Sequence, residues 1–235
     1  PARQPGADSV PPVHFRRPSS PHQHESRPAD VMNATLIAEI AAAAAQLVAD
    51  EGMEYGPAKR KAAKNLGRAA RGHDLPSNEQ VEDEVRAHLA LFHAETQPSE
   101  LAALRMLAAR WMRRLEAFQP HLTGAVWRGT ANRHSAVHLE LYCDDAKSAE
   151  ITLINLGIDY DASQHRGPRG DDIPVLTLAD RCDGFEGPVT LHLHILDVDD
   201  LRGGLKPDAR GRTWRGDAAA LAALQRRADA ESGSA

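Results

Sequence analysis

The sequence predicts an α+β protein in which a helical N-terminal region precedes a mixed sheet with packed helices. Residues 33–119 repeat apolar side chains at helical spacing, whereas residues 136–143 and 189–196 alternate apolar and polar side chains. A period of two is typical of half-buried strands. From residue 136 onward, the order of the predicted elements is strand, helix and three more strands, which favours a mixed sheet.

Composition narrows the class of protein. The 235 residues carry a formal net charge of −5, which argues against a surface built throughout for nucleic acid. The two cysteines, Cys143 and Cys182, lie far apart and lack metal-ligand spacing, as expected of reduced cytosolic thiols. No apolar run approaches the roughly 20 residues of a membrane span, and no signal peptide is recognisable. The sequence therefore predicts a cytoplasmic location.

The first half of the chain is predicted to be a tail followed by helices. Residues 1–31 are rich in Pro, Ser, His and Arg and predict a disordered tail. Residues 32–119 form the predicted helical region, in which Asn33 is the expected N-cap of a helix ending near Asp50. Ser77 and Gln80 have the spacing of a capping box that opens a later helix.

Two further helices are predicted within this region. Residues 58–66 read as a short basic helix that could contact nucleic-acid phosphates or simply face solvent; its charged side chains are Lys59, Arg60, Lys61 and Lys64. A longer helix begins at Pro98 and is stopped by Pro120, and Trp111 falls on its apolar stripe, which predicts a core position.

Residues 120–202 form the predicted α+β domain, and residues 203–235 a linker with a C-terminal helix over 218–228. Strands are expected at 122–126, 136–143, 158–160, 173–178 and 189–196, with a helix at 146–156 and a hairpin tip at 164–172. Pro174 is expected near the start of its strand or at a sheet edge, because proline cannot donate a ladder hydrogen bond.

The segment 123–145 carries the motif around which the domain is organised. Its strand places Ala136, His138, Glu140 and Tyr142 on one face and apolar residues on the other. Gly124 and Gly129 bracket the preceding connection, where a side chain would obstruct close approach of backbone or phosphate.

This segment resembles the signature of the nucleotidyltransferase superfamily, the DNA polymerase β-like fold. Gly124-Ala125 stands at the Gly pair, Arg128-Gly129-Thr130-Ala131 matches the spacer, and residues 135–139 align with the strand. Over about residues 100–202, the resemblance implies transfer of a nucleoside monophosphate from an NTP to a hydroxyl acceptor, with two Mg²⁺ ions. It implies nucleotide binding by the following residues: Gly124, Ala125, Arg128, Gly129, Thr130 and Ser135.

The chemistry of the motif departs from that family. Mg²⁺ requires hard oxygen ligands, but Ala136 and His138 stand where the resemblance implies the two carboxylates. On residues 189–196, His192 and His194 occupy positions where a third carboxylate is implied. We therefore expect a degenerate nucleotidyltransferase-like protein that has lost or altered catalysis and retains at most nucleotide or phosphate binding.

Two alternatives remain open from the sequence. If the two alternating strands are neighbours, His138, Glu140, His192 and His194 could bind Zn²⁺, with Glu140, His138 and His192 as the catalytic residues. Polar side chains on the solvent face of an antiparallel sheet would give the same pattern. The other alternative is a nucleic-acid-binding module that uses the basic helix.

Overall fold

A computed structural model describes residues 28–67, 75–167, 170–201, 211 and 213–232. The predicted disordered tail lies outside these residues except for residues 28–31, which belong to the first helix. None of the helices in this described part of the chain combines the length and hydropathy needed to cross a bilayer.

Three N-terminal helices share an apolar core. They are α1 (Pro28–Glu51), α2 (Tyr55–Asn65) and α3 (Asn78–Phe92). The predicted capping box is confirmed, since Ser77 Oγ accepts from the Gln80 amide at 3.1 Å and Gln80 Oε1 accepts from the Ser77 amide at 2.8 Å. Asn33 lies inside α1, so its predicted role as N-cap is wrong. The fully buried side chains of this core include Ile40, Val81 and Val85.

The fourth helix, α4 (Gln97–Arg114), packs on the sheet and shares its core, not that of α1–α3. Trp111 is 1% exposed in that core, as predicted, and its indole Nε1 donates to Asp180 Oδ2 at 2.8 Å. A 3₁₀ turn at Glu116–Phe118 follows. The apolar core therefore divides between α3 and α4, and the domain boundary expected at residue 119 stays a prediction.

The remaining elements build one sheet and its helices. The strands are β1 (His121–Thr123), β2 (Val137–Tyr142), β3 (Asp161–Arg166), β4 (Asp172–Arg181), β5 (Pro188–Leu196) and β6 (Arg215–Gly216). The helices are α5 (Gly124–Arg128), α6 (Lys147–Asn155) and α7 (Ala218–Ser232). Within the described residues the order is β3-β4-β5-β2-β1-β6. Only the β2–β5 pair is parallel among these strands, so the sheet is mixed and the α+β prediction is confirmed.

Three local predictions are wrong for physical reasons. Residues 124–126 begin helix α5 and do not extend β1, because Gly124 takes a φ of 69° that turns the chain. Residues 158–160 are not a strand; β3 starts at Asp161, and its six residues are all exposed, so it shows no alternation. The predicted linker contains β6, whose two residues are too few to leave a periodic pattern.

The two faces of the central strands differ in character. Val137, Leu139 and Leu191 are fully buried beneath the helices of the sheet core. The intervening residues of β2 and β5, which include His138 and His192, are half-buried on the opposite face. Pro174 lies near the start of β4, before its pairing with β5 begins at Val175.

Close packing at Gly216 predicts a stability effect. A Cβ placed on Gly216 would lie 2.1 Å from Trp127 Cη2, so Gly216→Ala is expected to lower the free energy of unfolding by about 1–3 kcal/mol. Urea denaturation followed by circular dichroism measures it. Gly187→Ala is the matched control, because a Cβ there meets no heavy atom within 4 Å. Equal unfolding midpoints for both variants would contradict this packing.

Candidate functional site

A cavity of about 1060 Å³ lies between the polar face of the sheet and the N-terminal helices. Its walls come from β2 and β5, the start of α5, and the residues that join α1 to α2. Gly124, Ala125, Arg128 and Ser135 line it together with the histidines of the central strands. The structure therefore brings part of the family-like motif and the histidine-bearing strands to one space.

Strand register gathers three histidines in this cavity. The parallel pairing sets His138 opposite His192 and Glu140 opposite His194. His138 Nδ1 lies 3.1 Å from His194 Nε2, and the rings of His138 and His192 have centroids 4.9 Å apart. The Thr177 hydroxyl lies 2.9 Å from His192 Nδ1 and fixes that ring. The imidazoles therefore form a contacting cluster, in which His138 and His194 are the closest pair.

Burial keeps these imidazoles neutral. Desolvation, with smaller contributions from the nearby His192 and His165, lowers the pKa of His138 to about 4. Desolvation also lowers the pKa of His194 to about 4, with a smaller contribution from His138. The pKa of His192 is lowered chiefly by burial. Neutral imidazole, with a free nitrogen lone pair, is the form that ligates metals.

Glu140 has partners other than the histidines. Its Oε2 accepts from the Tyr142 hydroxyl at 2.6 Å and from Arg215 Nη1 at 2.7 Å. Burial and the adjacent Glu140 raise the pKa of Tyr142, which therefore remains a donor. A different carboxylate approaches the cluster, since Glu54 Oε1 lies 3.4 Å from His138 Nε2. Glu54 and Arg215 have no periodic context in the sequence that could have identified them.

The four predicted metal ligands are neighbours, but their ligand atoms do not converge on one point. Within the described residues, only one group of three His, Cys, Asp or Glu side chains has its ligand atoms within 4.8 Å of one another, and it lies elsewhere, at Asp50, His88 and His93. The predicted set of His138, Glu140, His192 and His194 is therefore drawn together as a cluster but not arranged as a complete coordination sphere.

Arg128 is engaged inside the protein. Its side chain is 5% exposed, and Nε donates to Glu82 Oε2 at 2.9 Å. Glu82 is 1% exposed, and the Arg128 guanidinium lies 4.1 Å from the Trp214 ring centroid. This buried ion pair connects α3 to α5. The charge that the resemblance assigns to phosphate thus serves to join the helical region to the sheet.

Two other residues of the predicted nucleotide site lie outside the lining of the cavity. Gly129 ends α5 with a φ of 79°, and its carbonyl accepts from Gln97 Nε2 at 3.3 Å. Thr130 is buried, and its amide donates to the Ala125 carbonyl at 3.0 Å. Both residues shape the end of α5, which is a structural role.

The basic helix uses part of its charge internally. Lys59 Nζ donates to Asn78 Oδ1 at 2.7 Å and to the Pro76 carbonyl at 3.1 Å. Lys61 Nζ pairs with Glu51 Oε2 at 2.6 Å. Arg60 and Lys64 are exposed. The lysines that the sequence offered to nucleic acid thus also tie α2 to its neighbours.

Comparison with known proteins gives a coarse likeness. No family model and no curated protein matches the sequence. Among solved structures, Cid1 poly(U) polymerase with MgGTP bound has 14% identity, a TM-score of 0.30, and coverage of 40% of this chain and 32% of that chain. Cid1 with the UTP analog UMPNPP has 14% identity, a TM-score of 0.33, and coverage of 48% and 36%.

A third match is a Cid1 structure concerned with its structural plasticity and RNA terminal uridylyl transferase activity. It has 16% identity and a TM-score of 0.22, and covers 51% of this chain and 31% of that chain. The present chain thus spans about a third of the length of these proteins, with coverages of 32%, 36% and 31%. At identities and TM-scores this low, the activity of these proteins is not evidence for the activity of the present chain.

The lowered histidine pKa values predict acid sensitivity of the metal-free protein. The ordinary pKa of 6.5 applies to the unfolded chain, and about 4 to folded His138 and His194. Between pH 4 and 6.5 the unfolded state therefore binds more protons than the folded state. The contribution of these histidines to stability is complete above pH 6.5 and is lost as the pH falls towards 4. Urea unfolding between about pH 7.5 and about pH 4.5, with chelator present, measures the slope. His194→Gln should flatten it, and an unchanged slope would contradict the burial of this imidazole.

The Glu82–Arg128 pair predicts a loss of stability in Arg128→Ala. The substitution removes the Arg128 guanidinium from the buried Glu82 carboxylate, which keeps its contact with Arg86 Nη2 at 2.9 Å. We expect the free energy of unfolding to fall by about 3 kcal/mol, since a buried charge loses its partner. The control is Lys61→Ala, which breaks an exposed pair and should cost at most about 1 kcal/mol. Wild-type stability with reduced phosphate affinity would instead support the role that the resemblance implies.

Proposed function

We propose that this chain is a nucleotidyltransferase-like protein that binds a nucleoside phosphate together with a transition-metal ion, without the standard two-Mg²⁺ transfer chemistry. The observation that carries the proposal is that Gly124, Ala125, Arg128 and Ser135 share one cavity with the histidines of β2 and β5. A volume of about 1060 Å³ is sufficient for a nucleotide, because small-molecule sites span about 300–1,000 Å³.

The charge of the cavity favours a cation. Five carboxylates line it, against two guanidinium groups; the carboxylates are those of Glu54, Glu82, Glu100, Glu140 and Glu186. Both arginines are already paired, Arg128 with Glu82 and Arg133 with Glu100. Arg86 and Arg215 lie outside the lining but pair with Glu82 and Glu140, so four guanidinium groups offset five carboxylates, and a phosphate group entering alone would meet a small net negative charge. A bound cation would offset that repulsion and supply the attraction for phosphate.

The donor set favours a transition metal over magnesium. The two Mg²⁺ ions that the resemblance implies do not fit this site, because the Ala136 side chain has no donor atom and His138 offers nitrogen instead of oxygen. The 3.1 Å separation of His138 Nδ1 and His194 Nε2 is close to the roughly 3.3 Å between two nitrogen ligands bound at 2.0–2.1 Å around a tetrahedral ion. These two residues would hold the ion, and His192 lies beside them.

A bound ion would supply Lewis acidity and a positive charge facing the phosphate. The residues of the chain would contribute the rest. The backbone of Gly124 lies against the His138 ring, since a Cβ placed on Gly124 would be 3.4 Å from His138 Cδ2. The start of α5 therefore approaches the histidine cluster closely. Arg215 and Tyr142 hold Glu140 in place beside the pair. Glu54 borders the cluster on the helical side.

The test is metal-dependent nucleotide binding. Isothermal titration of the full chain with ATP should give no measurable binding with chelator or Mg²⁺, and measurable binding with two equivalents of Zn²⁺. His194→Ala should weaken zinc-supported binding at least about tenfold, since even indirect disturbance of a metal site costs that much. The control is His134→Ala, which removes a histidine that lines the same cavity from the loop before β2. Binding of equal strength with Mg²⁺ or chelator would overturn the proposal.

A further inference from the structure

We propose that Asp50, His88 and His93 form a second, separate transition-metal site, which connects the ends of α1 and α3. Asp50 lies in the last turn of α1, His88 lies in α3, and His93 directly follows α3. The C-terminal end of α3 therefore supplies the two histidines, and the C-terminal end of α1, which packs against α3, supplies the carboxylate. This site shares no residue with the cavity.

The ligand atoms already converge. His88 Nε2 and His93 Nε2 each lie 3.2 Å from the same atom, Asp50 Oδ1. The ligand atoms of all three residues lie within 4.8 Å of one another. Ligands bound at 2.0–2.2 Å around a tetrahedral ion are separated by about 3.3 Å, so small side-chain adjustments would place an ion between them.

Packing holds the two imidazoles in this arrangement. The side chain of His88 is 13% exposed and that of His93 is 26% exposed. The His88 ring contacts Phe92 with ring centroids 4.7 Å apart and His93 at 5.7 Å. Side chains whose conformations are already restricted lose less conformational entropy when they bind an ion. Nitrogen and oxygen donors in this ratio suit Zn²⁺, Co²⁺, Ni²⁺ or Cu²⁺ better than Mg²⁺ or Ca²⁺.

An ion here would stabilise one wall of the cavity. Gly52 lies two residues after Asp50 and turns the chain with a φ of 67°. Its backbone passes so close to His134 that a Cβ on Gly52 would lie 2.2 Å from the His134 carbonyl oxygen. The Met53 amide donates to the Leu47 carbonyl at 3.2 Å and closes this turn. The same segment carries Glu54 to His138. Fixing Asp50 to α3 would therefore fix the approach of Glu54 to the cluster.

The test uses the full chain with His194→Ala as the background, so that the cavity site is already weakened. The sequence contains 12 histidines, so zinc binding is compared between variants. Competition between Zn²⁺ and a chromophoric chelator should reveal a zinc equivalent in the background protein that is weakened at least about tenfold by a further His93→Ala. Glu79→Gln, at the other end of α3, should leave it unchanged.

A second variant keeps the proposal testable if His93→Ala fails to fold. Asp50→Asn preserves the size of the side chain and a hydrogen-bonding oxygen, and should give the same loss of zinc affinity. Replacing Zn²⁺ by Co²⁺ should give a visible absorption band in the background protein that Asp50→Asn diminishes. Equal zinc affinity in all these variants would overturn the second site. Zinc lost through His194→Ala but unaffected by these changes would support the cavity site alone.

Discussion

The parallel register between β2 and β5 is the constraint on which the cavity depends. Side chains directly across adjacent strands are separated by about 5 Å, so pairing His138 with His192 and Glu140 with His194 brings the imidazoles into ring contact. A shift of one residue would turn Val137 and its apolar neighbours into the cavity and bury the histidines among leucines. The hydrophobic face fixes this register, because Leu139 and Leu193 are fully buried. The histidine cluster is therefore a consequence of the packing of the opposite face.

Two ion pairs determine how the helical region meets this sheet. Glu82 of α3 binds Arg128, and Glu100 of α4 binds Arg133, in both cases with the carboxylate buried and the arginine contributed by the chain between β1 and β2. The Asn132 side chain adds a buried hydrogen bond to the Ala49 carbonyl at 2.7 Å. The segment that resembles a nucleotide-binding motif is thus also the attachment point of the helices. Its polar groups are largely satisfied by protein partners, so a phosphate group bound there would need another source of positive charge.

The sequence predicts the features that depend on periodicity and misses those that depend on tertiary contact. The alternation of β5 and the capping box at Ser77 are local signals, and both are found in the structure. Strand β3 is exposed along its whole length, so no hydrophobic pattern marks it. The face that His138 and His192 occupy could be predicted from the period of two, but their adjacency could not. It requires knowing that β2 and β5, separated by a helix and two strands, are parallel neighbours.

Histidines give this site a different charge from the carboxylates that the resemblance implies. Two carboxylates at residues 136 and 138 would be ionised at neutral pH and would attract Mg²⁺ strongly. His138 and His194, with pKa values near 4, are neutral there and offer lone pairs but no net charge. Such a pair attracts an ion by coordination, which favours metals that bind nitrogen. Glu140 adds little attraction, since Arg215 already neutralises it. These properties support the proposal that the polar face of the sheet holds a nitrogen-preferring metal, whose charge would make an otherwise acidic cavity receptive to phosphate.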